Sequence, residues 1–153
     1  MDSRRASLKS TFEDHAIFNL LLLDIFSPQK GDLLEIGCGT GEFLHLAREA
    51  GWTVVGIEPS VKACQFARDR YGLDFINDLW LPQPLPLANR SFDAVAWHVL
   101  EHIPQPAALL TWSASILKPE GRVFFSVPNT DSFLTSVLGP ACLVCVARRE
   151  DIG

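Results

Sequence analysis

The amino-acid sequence predicts an α/β domain on an open, mainly parallel sheet with helices on both faces. Three observations carry that prediction. Apolar, strand-like runs begin near Leu33, Thr53, Leu73 and Phe92, about twenty residues apart. Helical patterns fill the gaps over 42–50 and 61–71, and each is followed by a glycine, Gly51 or Gly72, where a helix C-terminus favours one. The first run, Leu33-Leu34-Glu35-Ile36, passes straight into glycines at alternate positions, Gly37, Gly39 and Gly41, and then into a helix. Strand, helix and strand at this spacing imply right-handed parallel crossovers. Ligands of such sheets sit outside the carboxyl ends of the strands.

Composition bounds the reading. A chain of 153 residues fits one domain and can bury roughly two-thirds of its unfolded surface. With 48% hydrophobic and 20% charged residues it is globular rather than disordered. A formal net charge of −5 argues against a nucleic-acid partner, whose binder is usually basic. Cys38, Cys64, Cys142 and Cys145 lie in apolar contexts and read as reduced, cytoplasmic thiols. Cys142 and Cys145 form a lone C-x-x-C without the second pair a zinc ribbon needs, so no metal is expected there. The run Leu20-Leu21-Leu22-Leu23 is too short for a membrane span or a signal region.

Taken in order, Thr11 reads as an N-cap with Asp14 three residues on, opening a helix over 12–26. Its apolar residues Ile17, Phe18, Leu21, Leu22 and Ile25 recur at helical spacing, and Ser27-Pro28-Gln29-Lys30-Gly31 stops it. The second strand, Thr53-Val54-Val55-Gly56-Ile57, ends at Glu58, with Pro59-Ser60 before the next helix. A third strand, Leu73-Asp74-Phe75-Ile76, leads to Asn77-Asp78-Leu79-Trp80 and a loop carrying Pro82, Pro84 and Pro86. The fourth begins at Phe92, with Asp93 in a structural role, and ends at His98-Val99-Leu100-Glu101-His102. An amphipathic helix over 106–117 then meets a turn, Lys118-Pro119-Glu120-Gly121. The fifth strand, 122–127, ends at Pro128-Asn129, and 141–147 can supply one strand more.

The chemistry concentrates at the glycine turn. Glycine takes positive φ and lets a ligand approach the backbone, and the following helix offers free N–H groups. A dinucleotide fingerprint, G-x-G-x-x-G, would need glycine where Glu42 stands, and a carboxylate there repels a pyrophosphate. Glu35 adds a second negative charge, and acidic groups around a glycine turn suit a cationic sulfonium and amino group. Glu58, at a strand end, can accept both hydroxyl protons of a ribose, a role common to NAD and sulfonium cofactors. His98, Glu101 and His102 carry the letters of an inverted zinc-protease motif, but Pro104 and Pro106 deny it the continuous helix it needs. Either histidine has the intrinsic pKa of a general base.

The pattern Glu35-x-Gly37-x-Gly39-x-Gly41, the Glu58-Pro59-Ser60 strand end, the Leu100-Glu101-His102 segment and Lys118-Pro119-Glu120-Gly121 resemble, in order and spacing, the class I S-adenosylmethionine (SAM)-dependent methyltransferases. That family has a Rossmann-like, seven-stranded fold. The strand ending in Val127-Pro128-Asn129 resembles its small-molecule, ubiquinone-biosynthesis-like branch. The resemblance implies a methyl transfer from SAM to a small-molecule acceptor, with S-adenosylhomocysteine as product. It implies contacts to the methionine portion from Glu35, Gly37, Cys38, Gly39 and Gly41, and to the ribose from Glu58 and Pro59. Asp78 and Leu79 would meet the adenine, His98 would lie near the transferable methyl, and His98 or His102 would serve as base. Some relatives of this segment bind a divalent ion through Glu-x-x-Glu-His; here His98 replaces the first glutamate, and no metal is expected.

The resemblance covers 12–129 and then stops. One domain over 1–153 is expected, with a core at 31–129, a leading helix in 1–30 and a short atypical tail at 130–153. The family's last strands are expected to be missing, leaving an apolar sheet edge on which a second copy could pair unless the tail covers it. A SAM-binding module without turnover is the alternative, and an NAD-dependent oxidoreductase the third reading.

Overall fold

A computed structural model describes the backbone of residues 3–79, 87, 90–97, 102–129 and 141–152, and the side chains of 15–79, 87, 90–96, 102–126 and 145–152. Helix α1 (Ser3–Phe26) leads into strand β1 (Asp32–Ile36), helix α2 (Glu42–Glu49), strand β2 (Thr53–Ile57) and helix α3 (Val61–Tyr71). Strand β3 (Phe92–Trp97), helix α4 (Pro106–Ile116), strand β4 (Leu117–Asn129) and strand β5 (Ala141–Arg148) follow. Among the described residues the strands form one sheet in the order β2-β1-β3-β4-β5. All neighbours are parallel except β4 and β5. The expected α/β class and its parallel crossovers are present.

Strand alternation divides the core into two layers. Leu33, Ala94, Ala96 and Phe124 face α1, α2 and α3, meeting Leu23, Phe43, Leu44, Ala47 and Ala67. Leu34, Ile36, Val95 and Val123 face the other way, against Leu109 of α4. The helix stops follow the sequence. Gly72 caps α3 at φ 62, and Gly51 sits just beyond α2 at φ 100, conformations that cost a β-carbon-bearing residue energy.

Several expectations are corrected. Helix α1 starts at Ser3, not after a Thr11 cap, because no glycine or proline interrupts the preceding residues. Its spacing is helical, but Ile17, Phe18, Leu21 and Ile25 point outward while Ala16 and Leu23 are buried. The helix is apolar on two faces, so periodicity alone does not choose the inner one. The third expected strand shrinks to one bridge, Ile57 to Ile76, held by Ile76 N–H donating to the Gly56 carbonyl and Glu58 N–H to the Ile76 carbonyl. The expected turn at Lys118-Pro119-Glu120-Gly121 lies inside β4 as an irregularity, since Phe92 pairs with Leu117 and Ala94 with Arg122. The strand allowed for at 141–147 is present as β5 and covers β4 from Arg122 opposite Arg148 to Asn129 opposite Ala141, the alternative in which the tail closes that edge.

Charge is neutralised at the amino ends of the strands. Lys118 Nζ donates to Asp93 at 2.7 Å and to Asp32 at 3.2 Å, and Arg90 donates to Asp32 at 3.2 Å. The hydrogen bond to Asp93 is the main reason the Lys118 ammonium lies above its ordinary range. Asp93 also accepts from the Asp32 N–H at 2.7 Å, which joins β1 to β3 and accounts for its structural role.

Gly56 of β2 is closely packed. A β-carbon there would lie 2.5 Å from Phe75 Cδ1 and 2.7 Å from Cys38 Sγ. Gly56→Ala is expected to destabilise the fold by about 1–3 kcal/mol, the usual range for overpacking a filled core. Adding Phe75→Leu to Gly56→Ala is expected to recover part of that loss. Chemical denaturation midpoints check both, and an unchanged midpoint in the single variant would contradict this packing.

Candidate cofactor-binding site

The site is built by two turns at the carboxyl end of the sheet. After β1 the chain makes the turn Gly37-Cys38-Gly39-Thr40-Gly41, with the three glycines at φ 72, 54 and 86. Gly37 N–H donates to the Ile57 carbonyl at 2.8 Å, fastening the turn to the end of β2. Gly41 caps α2 without any side-chain hydrogen bond. A β-carbon on Gly41 would strike Phe75 Cζ at 2.7 Å, whereas one on Gly39 meets nothing within 4 Å. Gly41 is therefore pressed against the core, and Gly39 faces open space where a ligand can approach.

After β2 comes Glu58, 8% exposed. One carboxylate oxygen accepts from Gly39 N–H at 2.9 Å, and the other from Ser60 N–H at 2.8 Å. Ser60 in turn caps α3, its hydroxyl accepting from Ala63 N–H at 3.3 Å. One side chain thus joins both turns. An ionised carboxylate has about four acceptor positions, so two remain for ligand hydroxyls. Pro59 is exposed beside it.

Glu35 lies one step below the turn, between Gly56 on β2 and Ala96 on β3. It is buried, and its Oε2 has no hydrogen-bond partner among the described residues. Burial first, and then the carboxylates of Glu42 and Glu58, push its carboxyl up to about 8. The Cys38 thiol, whose Sγ lies 3.6 Å from the Ile57 carbonyl, is raised far above its ordinary range, chiefly by burial and then by Glu35. It packs as a neutral thiol rather than a nucleophile. Glu42 accepts from the Thr40 hydroxyl at 2.6 Å in the first turn of α2, where the helix dipole favours negative charge.

Asp78 and Leu79 are exposed on the next loop, and Asp78 accepts from the Leu79 N–H at 2.7 Å. His102 is exposed, and Ile103 packs against the core layer on the α4 side of the sheet. His98 and Glu101 lie outside the described residues. The structure therefore gathers Glu35, Gly37, Cys38, Gly39, Gly41, Glu58 and Pro59 into one site, with Asp78 and Leu79 on the adjoining loop.

Two contributors were not read from the sequence. Asn77 donates its side-chain amide to the Glu58 carbonyl at 2.9 Å and the Pro59 carbonyl at 3.0 Å, tying the third loop to the second. Phe75 fills the space left by Gly41 and Gly56. Both act through contacts between residues far apart in the chain, which no local pattern marks.

A glycine turn and an acidic strand end stand at the mouth of a parallel sheet, where open α/β folds hold their ligands. Residues 12–149 match the Methyltransferase domain family, and the chain belongs to it. It is 34% identical to the ubiquinone biosynthesis O-methyltransferase of Xylella fastidiosa over 146 residues, covering 85% of this chain and 57% of that protein. The chain spans roughly half to three-fifths of the length of the curated relatives it matches. An amino pentose methyltransferase from Micromonospora echinaspora, solved with SAM bound, shares the fold with TM-score 0.63 and 21% identity, covering 82% of this chain and 56% of that one. Magnesium protoporphyrin IX methyltransferase from Synechocystis PCC 6803, also with bound SAM, has TM-score 0.66 and 19% identity, covering 87% and 66% respectively.

The buried Glu35 sets a pH dependence of stability. The folded chain keeps the Glu35 proton up to about 8, whereas a free carboxyl gives it up near 4.5. Between those values the folded state binds more protons than the unfolded one, so this group's contribution falls as pH rises, on the order of 1 kcal/mol per pH unit. Glu35→Gln, which mimics the protonated side chain, is expected to flatten that slope. Denaturation midpoints at pH 5, 6.5 and 8 check it; identical slopes in the two proteins would contradict the assignment.

Proposed function

We propose that this protein binds SAM in the glycine-turn site and transfers its methyl group to a small-molecule acceptor. The observation that carries the reading is the Glu58 carboxylate, which binds the glycine turn and keeps acceptor positions free at the end of β2. In this reading Gly37, Cys38, Gly39 and Gly41 admit the aminoacyl portion, and Glu35 meets its ammonium. Glu58 and Pro59 hold the ribose. Asp78 accepts from the adenine amino group, and Leu79 covers the ring.

SAM carries a sulfonium whose methyl carbon accepts an electron pair from the acceptor. The C–S bond breaks in line with the attack, and its electrons return to sulfur as the thioether of S-adenosylhomocysteine. The protein's part is to hold the sulfonium and acceptor collinear and to exclude water. His98 or His102 takes the proton when the acceptor is a hydroxyl. We read the whole chain as one domain, because β5 from the C-terminal stretch completes the same sheet. The cytoplasm is the proposed location, supported by the free thiols Cys38, Cys64 and Cys145. No helix among the described residues is long and apolar enough to cross a membrane.

Two measurements test the reading. Glu58→Ala is expected to weaken S-adenosylhomocysteine binding about 10–100-fold, the cost of losing hydrogen bonds to a charged group. A thermal melt alongside separates this from unfolding, and unchanged affinity in a folded variant would contradict the ribose role. Incubation with SAM and a panel of phenolic acceptors is expected to yield methylated product and S-adenosylhomocysteine in equal amounts by mass spectrometry. Binding with no turnover on any acceptor would leave a SAM-binding module without methyl transfer.

A further inference from the structure

Three carboxyl groups lie around the glycine turn, those of Glu35, Glu42 and Glu58, and the latter two act on Glu35. Two of them have partners. Glu58 accepts from the Gly39 and Ser60 amides, and Glu42 accepts from the Thr40 hydroxyl. Glu35 is different: it is 4% exposed, and its Oε2 reaches no donor among the described residues. Among the described residues the titratable groups that act on it or sense it are Cys38 of the turn, Glu42 at the start of α2 and Glu58 at the end of β2. Its strand neighbours, Gly56 and Ala96, bring neither charge nor donor side chain. Among the described residues the charges acting on Glu35, those of Glu42 and Glu58, are both negative. An ionised carboxyl sealed beside two others pays both desolvation and repulsion, so it keeps its proton until a cation arrives.

We propose that the glycine-turn site takes up its cationic ligand in exchange for a proton, which the Glu35 carboxyl holds while the site is empty and releases when an ammonium group docks against it. This rests on the reading of the site given above and adds its linkage to pH. The Glu35 O–H bond breaks, its electron pair stays on the carboxylate, and the proton passes to the buffer. The ammonium keeps its own three protons, and nothing is oxidised or reduced. The charge of the buried site is the same before and after. A ligand without the amino group leaves the Glu35 proton in place and gains nothing from this exchange.

Calorimetric titration of the full chain with S-adenosylhomocysteine at pH 7, in phosphate, HEPES and Tris, reads the protons released from the dependence of the heat on buffer ionisation. Close to one proton released per ligand is expected, with affinity tightening nearly tenfold for each pH unit between 6 and 7. The comparison ligand is 5′-methylthioadenosine, which keeps the adenosine and thioether but lacks the amino acid; it is expected to bind with no proton released. Glu35→Gln is expected to bind S-adenosylhomocysteine with no release. Binding of S-adenosylhomocysteine without proton release overturns the inference and leaves the cofactor reading standing. Release of a proton with methylthioadenosine, or from a folded Glu35→Gln variant, also overturns it. No heat with S-adenosylhomocysteine at any pH removes the cofactor reading and the inference together. Should Glu35→Gln not fold, the two-ligand comparison on the unaltered protein still decides.

Discussion

The Glu58 carboxylate is the constraint on which the site depends. Helix α2 starts without a side-chain cap, so its turn must be held from elsewhere. Glu58 supplies that hold from nineteen residues away by accepting from Gly39 N–H, and it fixes the start of α3 through Ser60 N–H. Asn77 extends the tie to the third loop through the Glu58 and Pro59 carbonyls. Three loops at the carboxyl end of the sheet thereby become one unit. Charge-assisted hydrogen bonds of this kind are about twice as strong as neutral ones, which suits a position carrying so much of the local geometry.

Charge is distributed unevenly along the strands. At their amino ends Asp32 and Asp93 are matched by Lys118 and Arg90. At their carboxyl ends the carboxylates of Glu42 and Glu58 raise the cost of ionising Glu35, and no cation among the described residues acts on it. The matched end holds β1, β3 and β4 in register. In the proposed reading a ligand bearing positive charge completes the unmatched end, so that stability lies at one end of the sheet and binding at the other, the division expected for an open parallel sheet.

Much of this was legible in the sequence, and the remainder was not for identifiable reasons. The strand-to-glycine-turn-to-helix unit at Leu33 to Glu42 and the helix stops at Gly51 and Gly72 are local features, written in residues that only certain backbone conformations tolerate. Glu35 was singled out as a candidate by its charge beside the glycine turn, and Glu58 by its place at the end of a strand. The link from Glu58 to Gly39 joins residues far apart in the chain, and no local pattern encodes it. The buried face of α1 was misjudged because apolar residues surround the helix, leaving Leu23 inside and Leu21 outside. The fate of Leu73-Asp74-Phe75-Ile76 was likewise settled by tertiary contacts. Phe75 is committed to packing under Gly41 and Gly56, and only Ile76 pairs with β2. The covering of β4 by β5 depended on which of two edges a lone C-terminal strand would choose.

The central claim is that the joined turns after β1 and β2 hold the adenosyl ligand, and a crystal structure with S-adenosylhomocysteine tests it most directly. The account predicts ribose hydroxyls on the Glu58 carboxylate and the amino acid tail over Gly37, Gly39 and Gly41, with its ammonium against Glu35. Ligand density elsewhere on the molecule, with Glu58 still bound only to the Gly39 and Ser60 amides, would contradict it.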